Sequence, residues 1–335
     1  MVVLTTAQKI TAAVIVALIA IGIVSVILWL VLKPSGPLEV LLAGGFVNRN
    51  KGGISRSTDG GKSWKEVPWP FTKPNGPQMG VKCIIYDGTR FFALTEFEFC
   101  TSPDGLNWSP GNLTRDAANL GDFQAISSNG AGHLVIGTAA GISYYDGSNW
   151  THSLISGSFY GQHAAFNGEE CRVNNSYGVF KTVNHGVTWT RISEVQTFDV
   201  LRQRGRWVED TIQGVKVVAD SGADEIDTSP VSPNALIGVA ASSDLDALAC
   251  SENGVYRLSP PGVTPFALTK VSSVPLNTLA WTGRQFVAFY GKNGVNDADI
   301  YLGTSDGTQW NTTATQPWPK NQNTMVWSVA GGIKI

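Results

Sequence analysis

The chain has 335 residues, with 24 Lys+Arg against 26 Asp+Glu and a formal net charge of −2. Charged residues are only 15% of the total, which excludes a basic nucleic-acid footprint and an acidic solvating tail. The 37 glycines and 11 tryptophans suit many short strands and tight turns, in one large β domain or two ordinary ones.

Residues 1–9 are a short N-terminal tail. From Ile10 to Leu32 run 23 residues without a charge, bracketed by Lys9 and Lys33. A bilayer core takes roughly 20 such residues, so the run predicts a transmembrane helix over 10–32, with Trp29 as an interfacial aromatic. A cleaved signal peptide competes, but its apolar core is about 7–15 residues, and no small-residue cleavage pattern follows this run. Residues 33–37 form the linker. Positive charge flanks both sides (Lys9 before; Lys33, Arg49 and Lys51 after), so orientation rests on the short tail and the large domain behind it. The expectation is a single-pass signal anchor, N-in and C-out, with a lumenal or extracellular domain. N-x-Ser/Thr sequons begin at Asn107, Asn112, Asn149, Asn174 and Asn311 and agree with it, though about as many arise by chance in so Asn-rich a chain.

Beyond residue 37 the sequence repeats. Ser57-Thr58-Asp59-Gly60-Gly61-Lys62-Ser63-Trp64 returns as Ser102-Pro103-Asp104-Gly105-Leu106-Asn107-Trp108. Asp146, Gly147 and Trp150 mark a third copy, and Thr182, Asn184, Gly186 and Trp189 a fourth. Thr304, Asp306, Gly307 and Trp310 make a fifth. The tryptophans stand 44, 42, 39 and then 121 residues apart. The last gap is three periods of about 40, the length of a propeller blade. Degenerate copies are expected inside it, at Asp220-Ser221-Gly222 and Ser259-Pro260-Pro261-Gly262. Around each turn the chain reads as four short strands, such as "VKCIIYDG", "RFFALTEF", "EFCTSPDG" and "NWSPGN", with the repeated turn joining third to fourth. After the linker a first strand is missing, whereas "TMVWSVAGG" near the other terminus is a lone first strand. Residues 38–335 are therefore expected to form a seven-bladed all-β propeller closed by pairing its N- and C-terminal strands.

The turn has a local physical account. Asp or Asn oxygens accept N–H groups two residues on, Gly supplies positive φ, and Trp buries its ring against the blade. Seven such turns around a ring cannot converge on one pocket, so these residues are read as framework.

The repeated Ser/Thr-x-Asp-x-Gly-x-x-Trp turns resemble Asp-box (BNR) repeats, found in β-propellers of sialidases, sortilin-type receptors, xyloglucanases and photosystem II assembly factors. The resemblance covers roughly residues 37–335 and implies the fold, not one of those functions. A sialidase would imply three arginines clasping a substrate carboxylate, the first in a Phe/Tyr-Arg-Ile-Pro motif. The corresponding stretch, "PLEVLLAGGFVNRNKGG", lacks that motif and offers only Arg49. Arg202, Arg204 and Arg206 in "RQRGRW" read as an exposed turn. A glycoside hydrolase therefore stands as the alternative.

No histidines are spaced as a metal pair, and Asn296-Asp297-Ala298-Asp299 reads as a solvated loop rather than a Ca²⁺ site. No metal or cofactor is expected, and no catalytic residue is assigned. Cys83 and Cys100 fall on first and third strands of one blade, about 9–10 Å apart, beyond the roughly 7 Å reach of a disulfide. Cys171 and Cys250 lie in blades that do not touch. Four free thiols are expected, which sits poorly with secretion and makes a virion or other internal membrane the alternative location.

Variable loops on a rigid ring carry binding. On the face opposite the repeated turns they offer Arg49, Lys51, Trp69, Phe71, Arg115, Lys292 and Asp297 as ligand-binding residues. The expected function is a membrane-anchored, non-enzymatic platform for a protein or glycan partner, with no nucleic acid.

Overall fold

A stretch such as Phe91-Phe92-Ala93-Leu94 is apolar without interruption, and a strand of that kind is stable only with both faces covered. The computed structural model describes residues 38–334, apart from 49–50, 75–79, 156–163, 204, 212–213, 221–223, 228–235, 243–245, 264–265, 292–293 and 319–323; at 198, 224–227, 236–237, 294–297 and 334 it describes backbone only. It covers both faces by building a seven-bladed β-propeller, each blade a four-stranded sheet.

Blade 1 joins the two ends of the ring in the order β28 (Met325–Lys334), β1 (Leu38–Asn48), β2 (Lys51–Ser57), β3 (Lys65–Glu66). Blade 2 is β4 (Cys83–Tyr86), β5 (Phe91–Leu94), β6 (Glu98–Ser102) and β7 (Ser109–Thr114), followed by the one-turn helix α1 (Arg115–Ala118). Blade 3 is β8 (Phe123–Ser128), β9 (Leu134–Thr138), β10 (Gly141–Tyr145) and β11 (Trp150–Leu154). Blade 4 is β12 (Ala164–Asn167), β13 (Glu170–Asn175), β14 (Gly178–Thr182) and β15 (Thr190–Ser193). Blade 5 is β16 (Thr197–Gln203), β17 (Arg206–Thr211), β18 (Gly214–Ala219) and β19 (Asp224–Asp227). Blade 6 is β20 (Leu236–Ala241), β21 (Ala247–Ser251), β22 (Gly254–Leu258) and β23 (Leu268–Ser272). Blade 7 is β24 (Thr278–Trp281), β25 (Phe286–Gly291), β26 (Gly294–Gly303) and β27 (Trp310–Thr312). The innermost strands stand side by side in a closed circle, β28 between β24 and β4.

Side-chain alternation explains the packing. Phe91 and Ala93 join a cluster with Val40, Leu42 and Ile54 of blade 1, while Phe92 and Leu94 join one with Ile126, Leu134 and Ile136 of blade 3. In blade 7, Phe286 and Ala288 pack on blade 6, and Val287 and Phe289 pack on blade 1. Second strands are thus buried on both sides, whereas outer strands such as β3 and β15 are largely exposed.

Two readings of the sequence are corrected. The "RQRGRW" turn is a hairpin between β16 and β17, but Gln203 and Arg206 are only 2% and 4% exposed. Arg206 donates to Gln203 Oε1 at 2.9 Å and to the Ser259 carbonyl at 2.7 Å, which takes its guanidinium out of water. Asn296–Asp299 is strand rather than loop, because β26 bulges from its ladder with β25 between the Gly294–Gly291 and Asp299–Tyr290 pairs and there pairs Asn296 with Met325 of β28. The predicted membrane span 10–32 lies outside the described residues; among those described, no helix is long and apolar enough to cross a membrane.

Candidate functional site

In five blades the third and fourth strands are joined by a turn built around one Asp or Asn side chain. Ser57 donates its hydroxyl to Asp59 at 2.8 Å, and Gly61 N–H donates back to Ser57 Oγ at 2.9 Å. Asp59 also accepts the Ser63 N–H and hydroxyl, at 2.9 and 2.6 Å. Those Ser63 donors hold its carboxyl down at about 2. Gly61 has φ +77°, and a Cβ there would lie 2.3 Å from Thr313, so both conformation and space demand glycine.

In blade 2, Asp104 takes the Ser102 hydroxyl and the N–H groups of Leu106 and Asn107, while Gly105 N–H donates to Ser102 Oγ at 2.8 Å. Burial alone would raise the Asp104 carboxyl, but these donors outweigh it and hold the group well below the usual carboxylate range. Asp146 accepts the Asn149 and Ser148 N–H groups, leaving Gly147 to complete the return at φ +94°. Asn184 accepts the Thr182 hydroxyl and the Thr188 N–H, with Gly186 N–H on Thr182. Asp306 accepts from Thr304 and Thr308, with Gly307 at φ +71°. Four of the tryptophans that follow donate their indole N–H: Trp64 to Thr315 O, Trp108 to Gly105 O, Trp150 to Asn112 Oδ1 and Trp310 to Gly307 O. The buried Trp189 N–H has no partner among the described residues. These carboxylates and amides spend their oxygens closing hairpins.

Of the residues expected to bind a ligand, Lys51, Trp69, Phe71 and Arg115 have described side chains. Phe71 is 6% exposed and packs between blades 1 and 2, with the Trp69 ring 4.9 Å away and its N–H on the Lys73 carbonyl. Lys51 is paired with Glu66. Arg115 bonds Asp122 at 2.9 Å and Asp116 at 3.2 Å, and its guanidinium lies over Phe97. Arg49 and Lys292, and the Asp297 side chain, lie outside the described residues. The structure gives the four members with described side chains partners of their own: Trp69 and Phe71 each other, Lys51 the Glu66 carboxylate, and Arg115 those of Asp116 and Asp122.

It builds a cavity instead, of about 440 Å³, at the centre of the ring. All seven innermost strands line it, and it has room because small residues such as Ala164, Ala240, Ala280 and Gly331 face it. Phe166 and Trp281 add aromatic surface, and Asn129 and Arg202 add polar groups. Arg202 is held in place, its guanidinium 5.0 Å from the Trp207 ring and Nη2 2.6 Å from Asp220. Among the described residues Arg202 is the one arginine in this wall. In β8, β16 and β20 the lining residues stand at the C-terminal end of the strand, and Asp87 and Asn129 lie just past β4 and β8, so the cavity lies toward the end of the ring that carries the repeated turns. The sequence expectation had pointed to the other end.

Two features add to the chemistry. All four cysteines are free and buried, and burial pushes the Cys83 and Cys100 thiols up to about 11 and about 12, so neither is a thiolate nucleophile at neutral pH. In blade 5, Asp210 is fully buried opposite Asp199, with no hydrogen-bond partner for either carboxyl oxygen among the described residues. Burial, then the Asp199 charge, drives its pKa well above the ordinary carboxylate value.

No protein-family model matches the chain, and no curated protein matches it. Its backbone resembles solved propellers. One is YCF48 bound to a D1 peptide, at 16% identity and TM-score 0.53, over 85% of this chain and 95% of that one. Another is streptogramin B lyase, at 11% identity and TM-score 0.58, over 78% and 89%. A third is apo AztD from Citrobacter koseri, at 9% identity and TM-score 0.54, over 88% and 98%. At such identities the likeness shows the fold alone: the chain is a seven-bladed β-propeller.

Proposed function

We propose that this chain is a membrane-anchored Asp-box propeller that serves as a binding platform for a protein partner, an extended segment of which enters the central cavity. The observation that carries this reading is the cavity itself. It is walled by rigid, mutually braced strands from every blade, with aromatic surface from Phe166 and Trp281 and one fixed cation, Arg202. Pre-formed concave sites with apolar walls and a few polar groups are where ligands bind. A similar propeller, YCF48, is solved with a peptide bound, which favours a peptide over a glycan as occupant. The Asp-box assignment rests on the five hydrogen-bonded turns and their tryptophans, and the anchor on the uncharged run 10–32.

The test is selection of a displayed peptide library on the purified ring, alongside an Ala240→Trp variant whose new side chain fills the cavity. Peptides enriched on the native ring and lost on the variant are the expected result. Enrichment that ignores the substitution sinks the cavity as the site. Turnover of a fluorogenic sialoside would favour the glycoside hydrolase alternative.

A further inference from the structure

Two carboxyls meet in the interior of blade 5. Asp199 of β16 and Asp210 of β17 are register partners, so their side chains leave the sheet on the same face, and they are 5% and 0% exposed. Side chains alternate along a strand. Leu201, two residues from Asp199, and Val208, two from Asp210, pack with Val239 and Ala249 of blade 6. The acid pair therefore faces the seam between blades 5 and 6.

Asp199 spans that seam. Its Oδ1 accepts the Val200 N–H at 2.9 Å, and its Oδ2 accepts the N–H of Val239 in β20 at 3.3 Å. Asp210 has no hydrogen-bond partner among the described residues. Val200 and Val239 are both wall residues of the central cavity. The pair thus lies behind the stretch of wall that blades 5 and 6 share, and one of its bonds ties their innermost strands together.

The surrounding groups leave the pair to itself. In β18 the position opposite Asp210 is Val215. Glu209 and Lys216 oppose each other one position along and so point to the other face, where Arg172 reaches Glu209. Burial first, and then both carboxyls for Cys250 of β21 and Asp199 for Cys83 of β4, push up the neighbouring thiols, which stay neutral. Two like charges side by side in a buried seam are strongly disfavoured, so the pair is at ease with one proton and strained with none.

We infer that the Asp199–Asp210 pair is a proton-operated brace for the cavity. While it holds a proton, β16 and β20 stay bridged and the wall keeps its shape; when the proton leaves, the seam loosens and the occupant is released. The inference rests on the cavity being the binding site. The sign follows from burial, and then the Asp199 charge, raising the Asp210 pKa: the brace is intact at acid pH and is lost as pH climbs through the raised value.

The test uses the full chain and reads amide protection factors at Val200 and Val239, with Phe92 and Ile136 in the second strands of blades 2 and 3 as references. From about pH 5 to about pH 8, protection at the two seam positions should fall at least roughly tenfold more than at the references, the size of one pKa unit. Asp210→Asn keeps the shape and cannot ionise, so the excess should vanish. Asp199→Asn keeps an acceptor for Val239 and removes the neighbouring charge, so it should shrink the excess, and it serves where the first variant does not fold. Equal falls at all four positions, or a native profile parallel to those of the variants, overturns the brace. A library peptide retained on the native chain and lost on Ala240→Trp should bind at least roughly tenfold more weakly at the higher pH, and equally at both in Asp210→Asn. Unchanged affinity beside a loosened seam overturns the link to the cavity. If no such peptide exists, the cavity fails as the binding site while the exchange profile still decides the brace, so the two failures are told apart.

Discussion

Blades 2 and 5 occupy equivalent places in the same ring and are held together by different physics. The second strand of blade 2, Phe91–Leu94, is buried and wholly apolar, and its hairpin is closed by Asp104 with Trp108. The second strand of blade 5, Arg206–Thr211, is just as buried but reads Arg-Trp-Val-Glu-Asp-Thr. Its third-to-fourth turn starts at Asp220 and has no tryptophan after it. The seam between blades 4 and 5 holds few buried apolar residues: Ala165, Val179, Val200 and Trp207. Guanidiniums fill the space, Arg172 at 4.1 Å and Arg202 at 5.0 Å from the Trp207 ring, with Arg172 also reaching Glu170 and Glu209. An apolar blade depends on its repeated turn for register, whereas a polar blade depends on each buried partner being present. Loss of one partner should cost more in blade 5 than loss of one turn bond in blade 2.

The largest effect is expected at Trp207. Replacing it with Ala removes a fully buried ring and uncovers both guanidiniums, so about 3–5 kcal/mol of stability should be lost, read from the urea midpoint. A loss under about 1 kcal/mol would mean that the seam is held by its backbone alone.

Asp210 comes next and carries a sign. Its folded pKa is raised, first by burial and then by the Asp199 charge, so the native state holds the proton more tightly than the unfolded chain does. Its contribution is therefore fully present below the ordinary Asp value of about 3.9 and is lost as pH climbs toward the raised one. Asp210→Asn should match the native chain near pH 4 and exceed it in urea midpoint at pH 8. Parallel curves for the two proteins would show that Asp210 is ionised or compensated in the fold.

Asp104 has the opposite sign. Its carboxyl is held low by the donors of the blade 2 turn, so its contribution is present above the unfolded pKa and disappears as pH falls below about 4. Asp104→Ala should cost about 1 kcal/mol at neutral pH, after discounting for solvent exposure, and should flatten the acid limb of the stability curve. At the matching place in blade 5, Asp220 makes a surface pair with Arg202, and Asp220→Ala should cost about half as much or less.

How far the sequence spoke differs between these blades for the same reason. The turn motif announces itself because its hydrogen bonds are local: Ser57, Asp59, Gly61 and Ser63 lie within seven residues, so chemistry and spacing appear together. Blade 5 has no such local signature. Arg206 meets Ser259 across 53 residues and Arg172 meets Glu209 across 37, and "RQRGRW" taken alone looks like a solvated turn. Phe71 looked like a loop aromatic free to bind, because nothing in "PWPFTKPNGPQMG" reveals that the loop folds back between blades 1 and 2. The central cavity was the least legible, since each blade contributes only a few residues of its innermost strand to the wall, and closing the ring alone brings them together.

The smallest predicted difference separates turns that look alike in sequence. Trp108 and Trp310 each close a hydrogen bond inside their own turn, at 3.2 and 2.8 Å, so Trp→Phe at either position removes a donor and leaves the Gly105 or Gly307 carbonyl short of a partner. A cost of about 1 kcal/mol is expected from the bond, beyond the loss of ring area. Trp189 occupies the same motif position, but its N–H is buried without an acceptor among the described residues, so the native residue already bears that desolvation cost. Trp189→Phe should be close to neutral in a urea titration, and a double variant with Trp108→Phe should be additive, because the two turns lie in blades that do not touch. A cost at Trp189 equal to that at Trp108 would mean that ring area alone, rather than the indole hydrogen bond, sets what the tryptophan contributes to each blade.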